Sequence, residues 1–218
     1  MKYYKISFNM MILNILSIFV FLISYIFICL FGYYCYVDFN CLILYVFWMF
    51  LHEFLHGVGF YIMGVGHRYI IYGASLEKGI FYCMCKNSVS KKIILVSLLF
   101  PFMLIGIVTL VLGFIFNVPI LVILSLFNIA GCTGDICMFF SLFRMPQFSY
   151  VDVDDCSSFY LISSSDVSKH RLFGLKLIEV GDYSDLILST NFKKFNISKL
   201  SFFVLFLLFL LFLIIFMF

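Results

Sequence analysis

Residues 41–63 read CLILYVFWMFLHEFLHGVGFYIM, apolar almost throughout, with His52, Glu53 and His56 set in the middle. The stretch is long enough to cross a bilayer as a helix, at about 1.5 Å per residue against a hydrocarbon core about 30 Å thick. Its polar residues spell HEFLH, a match to the HExxH zinc signature. On a helix, histidines at i and i+4 project from one face, one turn apart. That suits two imidazole nitrogens sharing a metal, with Glu53 beside them. The chain has only 4 His in 218 residues, and such a composition yields this match by chance on the order of once per thousand chains.

Working outward, hydrophobic residues make up 65% of the chain and charged residues 11%, too apolar a balance for a water-soluble domain. The reading is an all-α integral membrane protein, a polytopic bundle of four or five spans forming one domain over residues 1–218. Spans are expected over 7–31, 41–63, 93–116, 119–143 and 200–218. The first, preceded by Lys2 and Lys5 and lacking a small-x-small cleavage site, reads as an uncleaved anchor. Gly64 and Gly66 close the second. Asn128, Gly131, Cys132, Thr133, Gly134 and Asp135 interrupt the fourth and predict a kink or break there.

Charge sets the orientation. All 14 Lys and Arg fall in the N-terminal tail, the loop 64–92 and the segment 144–199, while 32–40 and 117–118 carry none. The positive-inside rule makes the basic side cytoplasmic, with the N-terminus inside, residues 144–199 a cytoplasmic segment and the C-terminus outside. The net charge of +3 follows from this bias. Without a basic run longer than two or an aromatic-basic platform, it does not point to nucleic acid.

Glu53 and Asp135 are the two acids inside the expected spans, and an acid at mid-helix costs roughly 2.5 to 3.5 kcal/mol unless a cavity, partner or metal receives it. Counted from the outer ends of their spans, His52 and His56 lie about 16 and 22 Å deep and Asp135 about 24 Å, within a turn of one another. Asp135 is therefore the expected third ligand, the fourth position being left to water. Asn128, seven residues before Asp135 and so on nearly the same helix face, is a candidate to hold a substrate backbone or oxyanion. Cys132 and Cys137 are rival ligands by proximity in sequence. Cys35 and Cys41 bracket an outer loop and could be bridged. Asp152, Asp154 and Asp155 read as a solvated turn, since they lack the pattern of a calcium loop.

The ordered set HEFLHG at 52–57, LEKGIFYCMCKNSVSKK at 76–92, Pro101, NIAGCTGDI at 128–136 and MPQFSYVDVDDCSSFYLI at 145–162 resembles the putative zincin peptidase family of bacterial multi-pass membrane proteins, and more distantly the site-2 proteases. The resemblance implies zinc ligands at His52, His56 and Asp135, with Glu53 as catalytic acid/base. The site-2 Asn-x-x-Pro-x-x-x-x-Asp-Gly arrangement is not reproduced, because Gly131 stands where a Pro is expected and Gly134 precedes the Asp.

The expectation is a membrane-embedded zinc metallopeptidase acting on a membrane-anchored or membrane-proximal polypeptide. Glu53 would take the proton of the attacking water and return it to the leaving amine. The rival is a non-catalytic zinc-binding or metal-transport protein, which would need the ligands but not the base. Within 67–85, RYIIYG and GIFYC flank a turn-like ASLEKG and predict a small cytoplasmic β-hairpin whose edge could hold an unwound substrate.

Overall fold

Lys2–Phe8 (β1) is a β-strand, and the first helix begins only after it. The strand is followed by Asn9, whose side-chain oxygen accepts the Ile12 N–H at 3.3 Å while its carbonyl accepts the Leu13 N–H at 3.0 Å, an N-cap that turns strand into helix. The expected start of the first span at residue 7 is corrected to Met10. This computed structural model describes residues 1–30, 32–33, 39–75, 80–146, 150–155, 158–167 and 175–182. The expected span 200–218 and Cys35 lie outside them.

The helices are α1 (Met10–Leu30), α2 (Phe39–Ile62), α3 (Lys91–Pro101), a wide π-type stretch (Phe102–Val108) continuing into α4 (Thr109–Ile115), α5 (Pro119–Gly131) and α6 (Thr133–Phe143). Among the described residues three rods, Met10–Leu30, Ile43–Ile62 and Lys91–Ile115, are long and apolar enough to cross a membrane. Pro119–Gly131 and Thr133–Phe143 make a further candidate, bent by 46°. The bend falls in the polar and small cluster around Cys132, where the sequence predicts it. α2 ends as its glycine dictates: Gly64 takes φ +87°, and the Val65 N–H closes on the Phe60 carbonyl at 3.0 Å.

Beyond the helices the chain is richer in strands than an all-α reading allows. β2 (Ile70–Ser75) and β3 (Ile80–Cys85) pair antiparallel from Ile70↔Cys85 to Ser75↔Ile80, forming the expected hairpin. β4 (Val89–Ser90), β5 (Tyr150–Asp155), β6 (Ser158–Ser163) and β7 (Leu175–Asp182) join β1 in a second, antiparallel sheet of order β4-β5-β6-β1-β7. Residues 152–155, read from sequence as a turn, are part of β5. The sheet's inner face, with Tyr4, Ile6, Phe159 and Leu161 buried, shares one core with Phe60, Leu98, Met138 and Leu142 of the helices. Each such side chain contributes about 1.5–3 kcal/mol when taken out of water. Lys91 ties the layers by donating to the Met145 carbonyl at 2.5 Å, just past the end of α6.

Candidate metal centre

α2 and α6 meet so that three donor atoms converge. His52 Nε2 lies 3.2 Å from Asp135 Oδ2, His56 Nε2 lies 3.4 Å from the same oxygen, and the two Nε2 atoms are 3.1 Å apart. Asp135 reaches the histidines because the bend at Cys132 starts a new helix, which puts the carboxylate in the first turn of α6. There the exposed N–H groups favour an anion.

The far side of each ring fixes its proton. His52 Nδ1 is 2.9 Å from Asn128 Oδ1, and His56 Nδ1 is 2.9 Å from the Ser97 carbonyl oxygen. Both partners can only accept, so in each neutral ring Nδ1 carries the hydrogen and Nε2 presents a bare lone pair. The Asn128 amide is turned this way because its nitrogen donates to the Pro101 carbonyl at 3.3 Å. With both rings neutral, three lone-pair atoms, one of them on a carboxylate, face one point, an arrangement that a bound cation would relieve. A tetrahedron with arms of about 2.0–2.1 Å has edges of about 3.3–3.4 Å, and the three edges here, 3.1, 3.2 and 3.4 Å, lie within about 0.2 Å of those of a zinc site. The donor set of two imidazoles and a carboxylate fits zinc as well.

Glu53 lies beside the ligands, its carboxylate within 4.8 Å of the histidine nitrogens, and accepts a hydrogen bond from the Cys83 backbone on β3. The hairpin therefore closes over the site. Gly57 makes room for it, since a Cβ there would overlap the Tyr72 hydroxyl. Burial raises the Tyr72 hydroxyl above its usual range, and the charge of Glu53 adds to the effect. Burial also pushes the Cys83 thiol well up, with Glu53 adding, so it stays protonated and is a poor ligand or nucleophile.

The site opens into a cavity of about 440 Å³ lined along α2 by Tyr45, Trp48, Met49, His52, Glu53, His56 and Phe60, which spans about 22 Å of helix at 1.5 Å per residue. Phe81, Tyr82, Cys83 and Met84 all line it too. Consecutive strand residues point to opposite faces, so β3 offers this cavity its edge.

Residues 45–150 match a family described as putative zincin peptidase. The matched stretch holds HEFLH, the hairpin and the bent pair that carries Asn128 and Asp135. No curated protein and no solved structure matches the chain.

Of the residues singled out from sequence, His52, Glu53, His56 and Asp135 come together within the zincin-like region. Asn128 joins them in a different place from the one expected: both ends of its amide are engaged, behind a ligand. Cys132 approaches His52 on the Nδ1 side, at 3.8 Å, where Asn128 already binds. Cys137 does not come together with the candidate ligands among the described residues. The backbone roles of the Ser97 carbonyl and the Cys83 N–H escaped the sequence reading, because no residue type announces them.

Proposed function

We propose that the chain is a membrane-embedded zinc metallopeptidase that hydrolyses peptide bonds of membrane-anchored or membrane-proximal polypeptides. The observation that carries this reading is the convergence of three donor atoms, His52 Nε2, His56 Nε2 and Asp135 Oδ2, with the Glu53 carboxylate beside them. When bound, zinc supplies a Lewis acid and a water of lowered pKa.

The chain's own residues do the rest. Glu53 takes the proton of the attacking water and passes it to the leaving amine, while the Cys83 N–H holds its carboxylate in place. The residues lining the cavity run along α2 for the length of about six or seven extended residues at 3.3 Å each, with the site near the middle. That length suits an endopeptidase. The edge of β3 can pair with a substrate unwound from its helix, whose carbonyls are otherwise hidden in their own hydrogen bonds. The hydrolysis would take place among four spans, counting the bent pair as one, with 200–218 as a fifth.

A metal store or carrier would need the ligands and have no use for Glu53. The deciding experiment is metal analysis of purified protein, paired with cleavage of membrane-anchored test substrates by wild type and Glu53→Gln. The variant should keep its zinc and lose about 10² to 10⁴ in turnover. Cleavage by Glu53→Gln at the wild-type rate would sink the peptidase reading.

A further inference from the structure

Both histidine ligands are held, on their far nitrogens, by one short stretch of the third rod. In a regular helix the Ser97 carbonyl would accept the backbone N–H four residues on. That residue is Pro101, inside the rod and without an N–H. Ser97 is 2% exposed, and a buried carbonyl left without its helical donor needs another. His56 Nδ1 supplies it at 2.9 Å. The rods can come this close because Gly59 faces Ser97: a Cβ on Gly59 would lie 2.8 Å from the Ser97 Cα. The contact is doubled by Ser97 Oγ, which donates to the His56 carbonyl at 2.9 Å. Pro101 acts on the other ligand as well, since its own carbonyl receives the Asn128 amide at 3.3 Å and Asn128 receives His52 Nδ1–H.

We propose that Pro101 is a positioning residue of the metal centre: its missing N–H leaves the Ser97 carbonyl to fix His56, and its carbonyl fixes Asn128 and through it His52. This rests on the zinc reading above. A proline inside a helix costs stability, and here that cost secures the tautomer and aim of two ligands.

The test is the zinc affinity of purified full-length protein, by chelator competition, beside the thermal midpoint of the zinc-free form. Pro101→Ala restores an N–H that competes for the Ser97 carbonyl. It should weaken zinc binding by about 10- to 100-fold, while the zinc-free midpoint holds or rises. Pro119→Ala, at the first turn of α5, should change neither affinity nor midpoint. The ester analogue of alanine at 101, which has no N–H and no ring, should return the affinity toward wild type.

Wild type that binds zinc with Pro101→Ala equally tight would overturn the role of Pro101 and leave the zinc reading standing. Wild type that binds no zinc would overturn both. Failure of the ester to restore binding would show that the ring, not the missing donor, matters, and would also overturn the proposal. Should Pro101→Ala not accumulate, ¹⁵N-histidine spectra of the zinc-loaded wild type decide: a protonated Nδ1 on His56 is expected, and a bare Nδ1 refutes it.

Discussion

A histidine that binds a metal is set by its far nitrogen as much as by its near one, and here both far nitrogens are committed to acceptors. The expected hierarchy of substitutions follows. His52→Ala, His56→Ala and Asp135→Ala each remove one of three donor atoms 3.1–3.4 Å apart and should abolish stoichiometric zinc, measured on purified protein. Cys132→Ser and Cys137→Ser should keep it; zinc retained by Asp135→Ala but lost from a cysteine variant would take Asp135 out of the site. Asn128→Ala, which removes the acceptor for His52 but no ligand, should fall between, weakening affinity by about 10- to 100-fold. The candidate ligands and the acid beside them were conspicuous in sequence because a bilayer makes isolated polar groups expensive. The job of Asn128 was not, because helix-face arithmetic says which side a residue occupies and not which end of its amide is already engaged.

At the level of elements, the site depends on how closely α2 approaches α3. Gly59→Ala would put a methyl group 2.8 Å from a backbone carbon of the neighbouring rod, and backbone cannot swing aside as a side chain can. The rods should part, costing about 1–3 kcal/mol of stability and loosening the bond from His56 to the Ser97 carbonyl. Thermal unfolding and chelator competition on the same sample should both register the loss; an unchanged zinc affinity would mean that the ligands do not rely on this contact. Gly57→Ala should be milder, since the Tyr72 ring it meets is the movable end of a side chain. The rods, the Gly64 stop and the break near Cys132 were readable because hydropathy, glycine and polar interruption are local properties. β1 was not. Its partners are β6, more than 150 residues away, and β7 beyond that, and no periodicity within KYYKISF names a strand so distant.

Across the whole molecule, the large sheet constrains the topology more tightly than any single helix. Its strands come from the segment before α1, the segment between α2 and α3, and the segment after α6, so these three must lie on one side of any membrane the helices cross. They also contain 12 of the 14 basic residues of the chain, and the other two, Lys91 and Lys92, open α3 next to β4, the pattern of a cytoplasmic face. Two independent constraints, hydrogen bonding in the sheet and charge bias along the chain, thus agree on the same side. On this reading the turn between α4 and α5 is expected outside. Single cysteines at Phe116, 68% exposed in that turn, and at Lys176, exposed on β7, should separate the two faces in a cysteine-free background. An impermeant maleimide added to intact cells should label Phe116→Cys and spare Lys176→Cys, with both labelled once the membrane is opened. Labelling of Lys176→Cys alone in intact cells would invert the protein in the membrane. Labelling of both would place the two positions on one face and break the four-crossing arrangement.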